Sequence, residues 1–194
     1  MRIIGGAAKG RRLLAPKGQA VRPTADRVKE SLFNILPRDF SGMKVLDLFA
    51  GTGNLSIEAL SRGADHAVLV DSSARSAAAI KENLRRLGFA ARTEVWVAPA
   101  ARSLRLLARR KKSFEVIFLD PPYDQGLAPR ALDIIAQGNL LGESGTIVVE
   151  HSAREILKQR YRLLQLHDER RYGDTLLSFY KHTAPMDLPL EDGL

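Results

Sequence analysis

Cysteine is absent from the 194 residues, which excludes disulfides, thiolate metal ligands and a cysteine nucleophile. Histidine is scarce: His66, His151, His167 and His182 stand far apart, without the spacing of a ligand set, so no metal is expected. No stretch approaches the roughly 18 uncharged apolar residues of a membrane-spanning helix. The opening Met1-Arg2-Ile3-Ile4-Gly5-Gly6 lacks the apolar core of a secretory signal, and the expectation is a cytoplasmic protein with no membrane partner.

The chain does contain 45% hydrophobic and 27% charged residues, the composition of one ordinary globular domain with a substantial core. Its net charge is +8 and its pI is near 10. Residues 1–40 hold nine Lys and Arg against three acids, leaving +6 at that end. A basic end joined to a near-neutral body points to a polyanionic partner such as nucleic acid. The other reading is a generally basic surface that aids solubility.

Lys44 to Gly63 organises the rest. Val45, Leu46, Leu48 and Phe49 form a short apolar run carrying one acid, Asp47. The run breaks at Gly51-Thr52-Gly53 and resumes at helical spacing with Leu55, Ile57, Ala59 and Leu60, so it reads as strand, glycine turn and helix. Glycines at the carboxyl end of a parallel strand let a ligand approach the backbone. A dinucleotide loop wants a third glycine where Ser56 stands, and a P-loop wants Gly-Lys-Ser/Thr, so both phosphate readings are weak. A better fit is a ligand whose amine or carboxylate meets Asp47 and the loop amides. Asp71 comes after the second apolar run, Ala67 to Val70, where an acid binds ribose hydroxyls. Alternatively, Asp71 only caps the helix that begins near Ser73.

Further strands are expected at Thr93–Val97, Phe114–Leu119 and Gly145–Val149, with an antiparallel pair at 161–167 and 175–181 around Gly173-Asp174. Helices are expected from Thr24 to about Leu36, with Val28, Leu32, Ile35 and Leu36 inward, and over 72–87, 100–110 and 128–137. Arg109-Arg110-Lys111-Lys112 reads as a solvated helix end rather than an RNA contact. Two short β-compatible pieces around Gly5, Gly6 and Gly10 predict a basic hairpin extension over 1–20, then a domain over 21–182 and an unstructured tail over 183–194. Alternating strands and helices mean a mostly parallel sheet, which places Asp47, the glycine loop, Asp71 and the residues just after Leu119 on one rim.

Those residues are Asp120-Pro121-Pro122-Tyr123. Two prolines fix φ and remove two backbone donors, leaving a rigid, carbonyl-rich turn. Asp120 adds an acceptor and Tyr123 a flat face for stacking an unpaired base. Acceptors beside a stacking ring suit the exocyclic amine of a nucleobase, whose lone pair is delocalised into the ring. Hydrogen bonds from that amine to Asp120 and a proline carbonyl favour a pyramidal, attacking nitrogen. Alone, the motif is equally a tight turn with a capping acid and a surface tyrosine.

Asp47 to Gly53 with Asp120-Pro121-Pro122-Tyr123 resembles the S-adenosylmethionine-dependent amino-methyltransferases. Ile3-Ile4-Gly5-Gly6, Gly10-Arg11-Arg12-Leu13, Arg22 to Asn34, Glu58 to Ala64 and Tyr172-Gly173-Asp174-Thr175 resemble more narrowly the bacterial small-subunit ribosomal RNA guanine-N2 methyltransferases, the RsmD-like family. The likeness spans residues 1–181. It implies a Rossmann-like class I methyltransferase with a mostly parallel seven-stranded sheet, helices on both faces and the N-terminal β-hairpin extension. The implied reaction moves a methyl from S-adenosylmethionine to one guanine N2 of 16S ribosomal RNA, in an assembled or assembling 30S particle, leaving S-adenosylhomocysteine. By position, Asp47, Phe49, Ala50, Gly51, Thr52 and Gly53 line the methionine end, and Asp71 with Ser72 meets the ribose. Asp120, Pro121, Pro122 and Tyr123 hold the amine and base. The extension and the start of the domain offer Arg2, Lys9, Arg11, Arg12, Arg22 and Arg27 to RNA, and the enzyme is expected to act as a monomer. Such enzymes usually place an acid near the third strand tip to meet the adenine amine, but here Ala98-Pro99-Ala100 stands there. Two alternatives accompany this reading. A DNA adenine-N6 methyltransferase is disfavoured because the length leaves no room for a sequence-reading domain. A non-catalytic RNA-binding assembly protein is disfavoured by the intact Asp120 to Tyr123 motif.

Overall fold

The computed structural model describes residues 1–15, 23–123 and 125–183, with side chains of the first helix from residue 27 onward. Arg22, much of the loop before it, and all but the first residue of the expected tail lie outside the described residues.

Five apolar runs form parallel strands: β1 (Lys44–Leu48), β2 (His66–Asp71), β3 (Thr93–Val97), β4 (Phe114–Leu119) and β5 (Leu141–Ser152). Helices α2 (Asn54–Ser61), α3 (Ala74–Leu87), α4 (Ala100–Arg109) and α5 (Leu127–Gly138) connect them, and α1 (Pro23–Ile35) precedes them. The sheet closes antiparallel with β6 (Arg160–Tyr161), β7 (Leu164–Tyr172) and β8 (Thr175–His182), in the order β3-β2-β1-β4-β5-β8-β7-β6.

Alternation along the strands sorts the core into two layers. Val45, Leu69, Val116, Phe118 and Val148 pack with residues of α1, α2 and α3. Leu46, Leu48, Val68, Val70, Ile117 and Val149 pack with residues of α4 and α5. Burial on both faces explains why these strands are nearly continuous apolar runs. The same alternation places Asp47, two residues after Val45, on the α2 side.

Four expectations need correction. The sheet has eight strands, not seven, because Arg160 and Tyr161 pair with Gln165 and Leu164. A two-residue strand is too short to show a period. β5 begins at Leu141 rather than Gly145, since Phe114 pairs with Leu141 before an irregularity resets the register at Val116 and Thr146. Ile35 is 42% exposed, and Phe33 takes a place in the core instead. The N-terminal segment forms one antiparallel bridge, Arg2 with Arg12, rather than two strands.

That segment is held by tertiary contacts. Ile3, Ala8 and Leu13 enter the α1–α3 layer. Glu58 accepts the Ile4 and Gly5 amides at 2.9 and 2.7 Å, and Ser61 Oγ donates to the Gly5 carbonyl at 2.6 Å. Gly6, at φ 69°, lies so close to the Ser61 carbonyl that any Cβ would collide with it. Among the described residues, no helix is long and apolar enough to cross a membrane.

Candidate active site

β1 ends in a turn whose backbone is left-handed at three positions: Phe49 (φ 66°), Gly51 (φ 57°) and Gly53 (φ 77°). Phe49 holds this conformation without being glycine, a strained arrangement that surrounding contacts must enforce. The Ala50 amide donates to Val70 O at 2.9 Å, tying the turn to β2. Gly53 sits beneath the turn rather than in its wall, where an added Cβ would press on Leu69 and Ile57 at 3.1 and 3.2 Å.

Asp71 supports the turn from the neighbouring strand tip. One carboxylate oxygen accepts the Gly51 amide at 2.8 Å, and the other accepts the Ser73 amide at 2.7 Å. The next helix, α3, is capped by Ser73, whose hydroxyl accepts from the Ser76 amide. Asp47 is buried under α2 and accepts the Ser56 amide at 3.2 Å. Burial pushes its pKa up to about 7; the Ser56 hydrogen bond opposes that rise, and the charge of Asp71 adds to it.

The predicted rim is real in space. A cavity of about 560 Å³ is lined by Asp47, Phe49, Ala50, Gly51, Thr52, Asp71 and Ser72 on one side and by Asp120, Pro121, Pro122 and Tyr123 on the other. A second cavity of about 370 Å³ shares Phe49, Asp71 and Ser72, so the two adjoin. Its far wall is Ala98, Pro99 and Ala100, with Arg102, Arg105 and Arg130 nearby.

Asp120 is exposed where it opens onto the first cavity, yet protein crowded round its carboxyl strips away enough solvent to raise its pKa well above the usual carboxylate range, with Glu150 and then Asp47 adding to the rise. Glu150 is raised too, mainly by burial. Tyr123 donates its hydroxyl to Glu150 Oε1 at 3.1 Å, with Thr175 Oγ1 at 3.4 Å. Burial is the main reason the phenol is pushed up to about 12. Among the described residues, no group of three or more His, Asp or Glu is arranged to hold a metal ion.

Lining residues outside the expected site include the polar or charged Lys29, Asn54, Ser76 and Glu150, together with Met1. Glu150 follows Val149, the last residue of β5 that pairs with β4, so topology alone could have nominated it. Lys29 lies beside the apolar stripe of α1 and is 2% exposed, with its ammonium on Arg2 O at 2.6 Å and Asn54 Oδ1 at 2.9 Å. A cation adjoining the inward stripe was its signal. Arg2, Lys9, Arg11, Arg12 and Arg27 are all exposed, and Arg11 also donates to Arg86 O at 2.8 Å. The expected contact of Arg22 lies outside the described residues.

Sheet order and strand-tip cavities define a Rossmann-like class I methyltransferase fold. The chain is similar to "Putative rRNA methyltransferase YlbH" of Bacillus subtilis, 41% identical over 93% of this chain and 98% of that one. "Ribosomal RNA small subunit methyltransferase D" of Escherichia coli K12 is 32% identical over 95% of this chain and 91% of its own length. The solved structure "Putative methyltransferase yhhF from Escherichia coli" superposes with a TM-score of 0.81 at 32% identity, covering 95% and 98% of the two chains. A family model described as Conserved hypothetical protein 95 matches residues 1–181, and the chain belongs to that family, the RsmD-like proteins.

Proposed function

We propose that this chain methylates the exocyclic N2 of a guanine in small-subunit (16S) ribosomal RNA, using S-adenosylmethionine, in an assembled or assembling 30S particle. The observation that carries the reading is that the glycine turn and the Asp120 to Tyr123 turn, far apart in sequence, line one cavity. The names of the relatives support ribosomal RNA as the substrate class.

The residues suit the donor. An acid-lined cavity adjoining a second one matches an elongated ligand with a cationic amino-acid end and a nucleoside end. Asp47 and the turn through Thr52 would hold the amino-acid end, Asp71 and Ser72 the ribose, and the wall at Ala98 to Ala100 the base. When bound, S-adenosylmethionine supplies a methyl activated by its sulfonium charge. The chain itself orients the acceptor. Asp120 and the Pro121 carbonyl accept the hydrogens of the amine, which localises its lone pair, and Tyr123 stacks the base. The prolines make this turn rigid before the substrate arrives, so little reorganisation is needed.

Asp47 makes donor binding depend on pH. Its pKa in the empty site is raised to about 7, so its stabilising effect on the free protein is complete below the ordinary carboxylate range and fades as pH rises through about 7. Cation binding runs the other way, because the neutral carboxyl must first release its proton. Donor affinity is expected to fall by up to roughly tenfold per unit as pH drops below about 7, with proton release on binding. Calorimetry in buffers of different ionisation enthalpy reads both quantities.

The N-terminal segment would contribute affinity through phosphates. Replacing Arg11 and Arg12 with alanine is expected to weaken RNA binding and flatten its salt dependence by about one unit of log–log slope for each phosphate that is no longer neutralised. An unchanged slope would remove the segment from the RNA interface.

Labelled S-adenosylmethionine offered with undermethylated 30S particles, naked ribosomal RNA or DNA tests the function. Label in 30S particles or naked ribosomal RNA supports it, whereas label in DNA alone, or RNA binding with no label, contradicts it.

A further inference from the structure

β4 and β5 are parallel neighbours whose pairing ends at Leu119 and Val149, so Asp120, just past the tip of β4, and Glu150, still within β5, are the next residues on the two chains. Alternation from Phe118 and Val148 turns both toward the same side of the sheet, and both line the larger cavity. Glu150 is held there by the Tyr123 hydroxyl at 3.1 Å, and Tyr123 is in turn met by Thr175 at 3.4 Å. The ring expected to back the base therefore also fixes the position of a second carboxylate beside the first.

Two acceptors side by side call for two donors side by side. Among the amine-bearing bases, only guanine supplies them on its pairing edge, as N1–H next to N2–H₂; adenine and cytosine place a ring lone pair next to their amine. If the N2 amine lies on Asp120, the neighbouring N1–H falls toward Glu150 on the neighbouring strand. We propose that Glu150 accepts the N1–H of the target guanine and makes the site select guanine over other amine-bearing bases. This inference rests on the guanine-N2 reading and adds to it the residue that reads the base. Against adenine or cytosine, Glu150 would set a carboxylate oxygen against a lone pair, so rejection comes from repulsion as well as from a missing bond. The upward shift of both carboxyls in the empty site agrees with a pair that lacks its donors until substrate binds.

The test uses 2-aminopurine, which keeps the 2-amine but carries a lone pair at N1. Once the modified guanine is mapped, an RNA spanning it is prepared with guanosine or 2-aminopurine riboside at that position, and reconstituted into 30S particles if these are the substrate. The wild-type kcat/KM on guanosine RNA is expected to exceed that on 2-aminopurine RNA by roughly a hundredfold. Glu150→Gln, whose amide can donate to the N1 lone pair, is expected to shrink that ratio at least tenfold while donor affinity stays unchanged. The different intrinsic reactivities of the two amines cancel when the enzymes are compared. Equal lowering of both rates by Glu150→Gln would make Glu150 merely a holder of Tyr123 and overturn the proposal. Equal use of both bases by the wild-type enzyme would overturn it without any variant, which covers a variant that fails to fold. Donor binding with methylation at adenine, or at no base, would fail the guanine-N2 reading itself and this inference with it.

Discussion

Replacing Asp120 with alanine is expected to lower methyl transfer by at least roughly a thousandfold while leaving the affinity for S-adenosylmethionine largely intact. The split stems from position. Asp120 stands at the tip of β4 on the Pro-Pro turn, while the donor would rest against the β1 turn and Asp71 across the cavity. The acceptor amine is a poor nucleophile, and the bond to Asp120 strengthens as its nitrogen gains positive charge, so the loss appears in kcat rather than in donor binding. Asp120→Asn separates two roles. An amide oxygen still accepts a hydrogen bond but takes up no proton, so clear residual activity in Asn over Ala assigns Asp120 to orienting the amine, and equal loss in both assigns it to proton uptake. Near-wild-type turnover of Asp120→Ala in single-turnover assays would remove it from the chemistry.

The second expected result concerns stability. Glu58→Ala should destabilise the fold by about 3–5 kcal/mol, because it strips the partner from a buried charge. Glu58 is fully buried, 3.6 Å from the Lys29 ammonium, and it also binds Arg62 Nε at 3.0 Å. The same carboxylate accepts the Ile4 and Gly5 amides, so the substitution also leaves two backbone donors without their acceptor. For a chain of this length, the fall in Tm would be on the order of 10 °C. Glu58→Gln retains acceptor capacity and loses the charge, so it should fall between. Arg2 O and Asn54 Oδ1 still hold Lys29, which keeps the loss below that of a fully orphaned cation. Asn54 and Met1 line the larger cavity, so loosening this latch should also lower donor affinity. Calorimetric unfolding within a degree or so of the wild type would show that the N-terminal segment is not pinned through Glu58.

The legible and illegible parts of this chain divide along a physical line. Local signals wrote the elements: the apolar runs of β1 to β4, Gly88 closing α3 in a left-handed conformation, and Gly173-Asp174 between β7 and β8. The rule that ligands gather at parallel strand tips was then enough to bring Asp47, Asp71 and Asp120 together. Partnership between side chains distant in sequence is not carried by the chain's pattern. Lys29 and Glu58 are charged residues that would be placed in water, yet they bury together because each supplies what the other and the N-terminal amides need. The two-residue β6 exists only because β7 offers it an edge. Ile35 escapes burial because α1 turns Phe33 to the core, where it packs against Phe40 and Phe118 with ring centres 5.9 and 6.0 Å away. Nor does the pattern show that, of the loop amides, that of Gly51 is bound to Asp71 across the strand tips.

A crystal structure with S-adenosylhomocysteine tests whether the two turns frame a single reaction site. Its amino-acid end should lie by Asp47, its adenine against Ala98 to Ala100, and its sulfur toward Asp120 and Tyr123, leaving room beside Tyr123 for a base. A product seated elsewhere, or bound with its sulfur facing away from Asp120, would contradict methyl delivery at this cavity.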